Sequence, residues 1–443
     1  MLIFQLVYTK RKMKIGIFTD TYRPSLNGIV YVTEILRRNF EAAGHEVFIF
    51  APASSLSGKD DQPDSHIIRF PAVGGIVYDD FNSSLFFPPK VLNRIKEIDL
   101  DVIHFLTPGP VGLMAMLAAH KLGKPIVAEY CTDLFEYVEH YPLAAPGIFA
   151  LGAVLPFTFR PSRSDLLDMI KAARPRLGTT KWNREMVKHL ITVIHSHCDA
   201  VIAHSRKSAR QMTGWQNDDE HYKIDIIPTG VDPIPAATPA ECQNFRLQWG
   251  IGSDDEVMTY VGRLSPEKNL DMLIEMTAEL IKWRPNAKLL YVGDFAEYRP
   301  KLEEKAAASP AADHIIFTGR LPREELGTVF GVTDVFVFPS LTDTQSLALH
   351  EAAGAGLPIV MIDEPVTEVV HDGVNGYFCK NDPIDMAAKV LDVLEDTAGY
   401  KKMSQASLKV AKQFSEKIQC DKILGMYDDI IRSKKAATQA AHE

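Results

Sequence analysis

The chain has 443 residues, too many for one ordinary core and enough for two or three domains that each bury their own. With 46% hydrophobic and 24% charged residues, it has the composition of a folded globular protein rather than a disordered or membrane-spanning one. A formal net charge of -9 argues against general nucleic-acid binding, and five scattered cysteines (Cys131, Cys198, Cys242, Cys379 and Cys420) exclude a disulfide framework and fit a reducing, cytoplasmic setting.

At the N-terminus an apolar run, Leu2 to Tyr8, precedes Lys10, Arg11 and Lys12. That order is the reverse of a secretory signal, and the run is too short to span a bilayer, so the fold is expected to start at Met13. Strands are predicted at KIGIFT (14–19), EVFIFA (46–51), DVIHFL (101–106), PIVAEY (125–130) and AVIAHS (200–205), with a helix from about Ile29 to Ala43 closed by Gly44. Between Tyr141 and Trp182 no strand is predicted. There the apolar GIFALGAVLPFTF is followed by Arg160, Arg163, Lys171, Arg174, Arg176, Lys181 and Arg184, against only Asp165 and Asp168, a local basic excess in an acidic chain. The proline-rich IIPTGVDPIPAATPAE marks a linker. A second series of strands follows at VMTYVGRL (257–264), AKLLYVGD (287–294), HIIFTGR (314–320), DVFVFPS (334–340) and PIVMID (358–363), and then helices from about Pro383 to Arg432 with a frayed tail, KKAATQAAHE. Apolar strands alternating with amphipathic segments give two doubly wound α/β domains whose strand ends face a central cleft. The expected boundaries are 13–232 with a basic insertion at about 141–184, 233–415, and a final helix and tail at 416–443 that packs back on the first domain.

Two constellations in the second half suggest chemistry. VGRLSPEKN brings Arg263 and Lys268 to one strand end beside a helix entrance, where a guanidinium and an ammonium suit a diphosphate; the alternative is a solvated basic loop. In TDTQSLALHEAAGAG, Asp343 lies in a loop and Glu351 eight positions on, about one and a half turns into a helix whose first free amides are near Ser346 and Leu347. Those amides suit a phosphate, and the carboxylates suit hydroxyls of two parts of one ligand; the alternative is a helix cap at Asp343 and a surface charge at Glu351.

Nearly the whole chain resembles the retaining glycosyltransferases of family 4, which have the GT-B fold of two Rossmann-like domains, and in particular lipid glucosyltransferases and GDP-mannose-dependent alpha-mannosyltransferases. FTDTYRPSLNG is similar to the family's glycine loop, GRLSPEKN to its diphosphate motif, FTGR to its base-binding loop, DTQSLALHE to its E-x7-E motif and EVVHDGVNGYF to its closing pattern. The resemblance implies a first domain that binds the acceptor, a second that binds the nucleotide sugar, and hexose transfer with retention to a lipid or other glycan. It places the backbone of Gly28 at the diphosphate and acceptor, Arg263 and Lys268 at the diphosphate with Ser346 and Leu347 at the helix entrance, Asp343 at the transferred sugar, Glu351 at the ribose, and Arg320 and Leu321 beside the base. Arg263, Lys268 and Asp343 would form the catalytic set. Three positions depart from the family pattern: Asp343 stands for a Glu, Ser346 for a Gly and Cys131 for the His before Thr132.

His104, Cys131 and Asp133 are acceptor-side candidates, His104 because its strand end is expected to face the cleft, with a hydrogen bond to a neighbouring loop as the equal alternative. Asp99-Leu-Asp101 and the cluster His195, His197 and Cys198 are read as structural, so no metal and no cofactor is expected beyond the nucleotide sugar as donor. Expected partners are that donor and a glycan or lipid acceptor, with no nucleic acid; the segment Ile148 to Arg184 suits an anionic membrane surface, the alternative being a core helix followed by a solvated basic loop. The rival readings are a non-catalytic nucleotide-sugar sensor and a sugar-nucleotide epimerase or phosphorylase of the same fold.

Overall fold

The computed structural model of the protein describes residues 11–25, 27–53, 64–74, 82–83, 89–133, 179–217, 220–362 and 364–440. The chain divides into two compact units, one of Met1–Ala203, Gln211–Asp225 and Cys420–Glu443, the other of His204–Arg210 and Ile226–Gln419.

The first unit carries strands β1 (Lys14–Phe18), β2 (Glu46–Pro52), β3 (Ile67–Phe70), β4 (Val73–Gly74), β5 (Asn82–Ser83), β6 (Val102–Phe105), β7 (Ile126–Tyr130), β8 (Ala200–Ala203) and β9 (Ile224–Ile226). Among the described residues its main sheet has the order β3-β2-β1-β6-β7-β8-β9, while β4 and β5 form a separate antiparallel pair. The pairings from β3 to β8 are parallel. Helices α1 (Gly28–Ala42), α2 (Pro89–Ile98), α3 (Pro110–Leu122) and α4 (Thr179–Ser196) come between the strands; α5 (Arg206–Thr213) follows β8, and its residues up to Arg210 belong to the second unit. Helix α1 starts where the Asn27 side chain accepts from the amides of Ile29 and Val30, and it buries Val32, Ile35, Leu36 and Phe40 at helical spacing. Gly44 supplies the left-handed turn after it, with φ +91°. The start of α3 is capped from a distance. Its N-cap, Gly109, has no side chain to offer, and Asp20 takes its place by accepting from the Val111 amide at 2.8 Å and from Thr107 Oγ1 at 2.5 Å.

The second unit contains α6 (Pro239–Gln248), β10 (Glu256–Val261), α7 (Asp271–Leu280), β11 (Ala287–Val292), α8 (Arg299–Ala307), β12 (Ile315–Gly319), α9 (Leu326–Val332), β13 (Val335–Phe338), α10 (Leu347–Gly354), β14 (Ile359–Met361), β15 (Gly376–Phe378), α11 (Pro383–Glu395) and α12 (Thr397–Ala411). Its described sheet is parallel, in the order β12-β11-β10-β13-β14-β15. Helices on both faces bury every residue of β13 and β14, which accounts for their unbroken apolar runs. The winding direction reverses between β10 and β13, and doubly wound sheets bind ligands at that switch point, outside the carboxyl ends of the strands.

A last helix, α13 (Glu416–Ala440), runs through most of the tail expected to fray. The tail is rich in Ala and Lys, which are good helix formers, and Lys434 anchors it within the first unit, its Nζ 2.9 Å from Asp199 Oδ2 and 3.1 Å from the Lys124 carbonyl oxygen. Strands β3, β4, β5, β9 and β15 were not expected from the sequence; each has only two to four residues. The basic insertion expected at about 141–184 lies outside the described residues except for its last six positions.

Candidate active site

The second unit assembles its site from two loops flanking the switch point. β10 ends at Val261, and Gly262 follows with φ +156°. The next strand end approaches so closely that a Cβ on Gly293 would collide with the Gly262 carbonyl oxygen. Arg263 then projects beside Phe295, its guanidinium carbon 5.6 Å from the ring centroid, and its Nη2 donates to Glu267 Oε1 at 3.1 Å. A 3₁₀ turn, Pro266–Lys268, carries the chain to Asn269, which adopts the left-handed conformation with φ +57°. Asn269 Nδ2 donates to the Pro339 carbonyl at 3.2 Å, and Thr342 Oγ1 to the Glu267 carbonyl at 3.0 Å. These two bonds tie the loop after β10 to the loop after β13.

That tie sets the central contact of the site: Lys268 Nζ lies 2.8 Å from Asp343 Oδ1, with the two side chains only 15% and 16% exposed. The other carboxylate oxygen, Asp343 Oδ2, is buried and has no hydrogen-bond partner among the described residues. A buried orphan acceptor of this kind costs free energy unless something occupies it. Asp343 is therefore no helix cap. The N-cap of α10 is Ser346, and its side chain accepts no hydrogen bond from the first amides of the helix.

Glu351 lies in the second turn of α10 and is not the surface charge of the alternative reading. Its side chain is 5% exposed, and Oε1 accepts from Arg323 Nη1. Burial pushes this carboxyl up, while the Arg323 guanidinium pulls it down by charge and hydrogen bond. Arg320 is exposed, and Leu321 packs partly against the core just past β12. Sequence reasoning missed Arg323, although RLPR carries it three residues after Arg320. It also missed Gln345, which fixes the loop between Asp343 and Ser346. Gln345 accepts from the Thr229 amide at 2.8 Å, donates to the Thr229 carbonyl at 3.0 Å and meets His350 Nε2 at 2.8 Å. Burial holds His350 down at about 4, so the ring is neutral at physiological pH. With Nε2 accepting from the Gln345 amide, its proton resides on Nδ1.

Gly28 is exposed at the start of α1 and has open space where a Cβ would stand. His104 does not face open space as expected. It is fully buried in β6, with Nδ1 2.6 Å from the hydroxyl of Tyr427 and Nε2 3.0 Å from Glu129 Oε2. The reason is that helices cover both faces of a central parallel strand, so a polar residue there turns to internal partners. Asp133 is buried and accepts from the Tyr130 hydroxyl at 2.9 Å; burial, with Glu129 adding to it, pushes the neighbouring Cys131 thiol well up. Asp101 accepts from the Lys14 amide at 2.9 Å and from Arg11 at 2.6 Å, and Asp99 pairs with Lys124 at 2.6 Å. Among the described residues no helix is long and apolar enough to cross a membrane.

Cations and buried carboxylates gathered at the switch point of the second unit's Rossmann-like sheet form the kind of lining that a nucleotide sugar requires. Known proteins agree. A family model described as "Glycosyltransferase Family 4" matches residues 26–234, and one described as "Glycosyl transferases group 1" matches residues 243–410. The alpha-monoglucosyldiacylglycerol synthase of Acholeplasma laidlawii is 28% identical over 84% of this chain and 86% of its own length. A GDP-mannose-dependent alpha-mannosyltransferase of Corynebacterium glutamicum is 24% identical over 95% of this chain and 90% of its own length. The crystal structure of HepE from Anabaena in complex with UDP shares the fold, with a TM-score of 0.68 and 16% identity over 94% of this chain and all of that one. The chain belongs to the family 4 glycosyltransferases of GT-B fold, and it is a hexosyltransferase that uses a nucleotide sugar.

Proposed function

We propose that the protein transfers a hexose, with retention of configuration and without a metal, from a UDP- or GDP-sugar to a membrane lipid or lipid-linked glycan. The observation that carries this reading is the buried, unpartnered Asp343 Oδ2 beside the Lys268 ammonium. Lys268 has three N–H donors and uses one on Asp343, which leaves two for a diphosphate oxygen. Asp343 Oδ2 then accepts a hydroxyl of the transferred sugar.

In this mechanism Arg263, Lys268 and the amides at the start of α10, near Ser346 and Leu347, stabilise the negative charge that builds on the leaving diphosphate. The sugar develops oxocarbenium character while Asp343 holds it in place. Glu351 accepts from the ribose hydroxyls, and Arg320 and Leu321 flank the base. For the first unit, the family resemblance assigns the backbone of Gly28 to the diphosphate and the acceptor, and Cys131 and Asp133 stay as acceptor-side candidates. His104 is assigned no acceptor contact, because its ring is enclosed. A lipid acceptor is favoured by the kind of relative the chain matches, a diacylglycerol glucolipid synthase, and by the basic residues between Arg160 and Arg184, which suit an anionic membrane surface on the cytoplasmic side.

The test is a thermal-shift screen of UDP- and GDP-sugars, followed by transfer from the stabilising donor to vesicles containing diacylglycerol or monoglucosyldiacylglycerol. Product anomeric configuration is read by NMR. A ligand at 100 times its dissociation constant adds about 2.7 kcal/mol, which is readily seen. Inversion of configuration, or hydrolysis without transfer to any lipid, would overturn the respective part of the proposal.

A further inference from the structure

We infer that Arg323 is a positioning residue for donor binding, acting through Glu351, whose carboxylate it orients as the acceptor for the donor's ribose hydroxyls; this rests on the ribose role proposed above for Glu351. The geometry is specific. Arg323 begins the 3₁₀ turn after Arg320-Leu321-Pro322, so the loop proposed to flank the base also sets the ribose acceptor. Its Nη1 takes Glu351 Oε1, and no described residue bonds the other oxygen, Oε2. One oxygen is thus held and the other remains to receive a hydroxyl, as with Asp343 and Lys268 at the sugar end. Arg323 is itself 38% exposed while Glu351 is 5% exposed, so the cation reaches inward from the rim to a carboxylate that cannot turn away.

The two forces on Glu351 give the inference its signature. Burial pushes the carboxyl up and the guanidinium opposes it. Without Arg323 only the upward push remains, and the carboxyl binds a proton at a higher pH. A protonated carboxyl has lost acceptor capacity. Raising the pH then restores the carboxylate and part of its function.

The experiment measures, by calorimetry on the full chain, the affinities of UDP and GDP and of their 2′,3′-dideoxy analogues at pH values from about 6.5 to 9. The parental protein is expected to prefer the ribose form of the better-bound nucleotide by about tenfold throughout, the worth of one charged hydrogen bond. Glu351→Gln should lose that preference at every pH. Arg323→Gln should weaken it, and more at the acidic end than at the alkaline end, and in the Glu351→Gln background it should change nothing further. If the parental protein binds neither nucleotide, or shows no preference for ribose, the role of Glu351 falls and this inference with it. If Glu351→Gln loses the preference while Arg323→Gln keeps it at every pH, the role of Arg323 alone is overturned. Thermal melts establish that each variant is folded. Should Arg323→Gln not fold, Arg323→Lys carries the test: it keeps the charge but not the fork and should show a reduced, pH-independent preference, whereas an undiminished preference would overturn the inference.

Discussion

Replacing Lys268 with Met separates two consequences that the Lys268–Asp343 contact predicts together. The first is catalytic. A charge-assisted contact to the leaving diphosphate is worth about 1.5 to 3 kcal/mol, so kcat/KM should fall by roughly 10- to 150-fold with the donor at fixed acceptor. The second is structural. Asp343 Oδ2 already lacks a partner and Oδ1 would lose the Lys268 ammonium, 2.8 Å away. Removing one member of a buried pair costs about 3 to 5 kcal/mol, and the residual exposure of 15% and 16% places the expected loss near about 3 kcal/mol. The double variant Lys268→Met/Asp343→Asn should recover about 1 to 2 kcal/mol of that stability, because no unpaired charge remains, yet it should recover no activity. Thermal melts and steady-state kinetics on the four proteins complete the cycle. Activity of Lys268→Met within about threefold of parental, at subsaturating donor, would refute the diphosphate assignment. Additive stability effects would refute the pairing.

Arg263→Ala should lower kcat/KM by a similar factor of roughly 10 to 150, and near-parental turnover would remove it from the leaving-group site. Asp343→Asn should reduce transfer because an amide offers one acceptor oxygen where the carboxylate offers two, whereas Asp343→Glu keeps both; full activity of the Asn variant would refute the sugar contact. Burial raises the Asp20 carboxyl from 3.8 to about 6, against the pull of its bonds from Thr107 and Val111. The folded chain therefore holds a proton that the unfolded chain has released, and this contribution, about 3 kcal/mol, is complete below the unfolded value and lost as pH rises through about 6. Asp20→Asn should flatten that part of the melting temperature's pH profile, and an unchanged slope would exclude Asp20 as its source. Vesicle sedimentation should show binding that rises with anionic lipid, weakens with salt and is lost when Arg160, Arg163, Arg174 and Arg176 become Ser; no binding at low salt would point to a soluble acceptor.

The ten predicted strands are all present, because a strand buried on both faces must be apolar throughout and needs no partner information to be recognised. VFVF and IVM are such runs, each residue buried. The short strands IIRF, IDI and GYF escaped notice because a three- or four-residue segment with a charge or a glycine has no period to detect. His104 misled for a related reason. Its place at the end of an apolar run suggested a strand end facing the cleft, but its partner Tyr427 is 323 positions away, on a helix that nothing near His104 announces.

At the site, the sequence displayed the charges but not their pairing. Lys268 and Asp343 are 75 positions apart and Arg323 and Glu351 are 28 apart, separations with no helical or strand period. Only the fold joins them, by bringing the loops after β10, β12 and β13 to the same sheet edge. The pairing explains why two carboxylates stand eight positions apart at one helix entrance. Each has one oxygen held by a cation from another loop. Each keeps its other oxygen clear of described partners, Asp343 Oδ2 and Glu351 Oε2. A carboxylate held this way needs little reorganisation when a hydroxyl arrives, which is the condition under which electrostatic stabilisation is most effective. It also keeps the ligand-free site close to charge balance, so the incoming diphosphate meets an ammonium with spare donors rather than a cluster of unopposed charge.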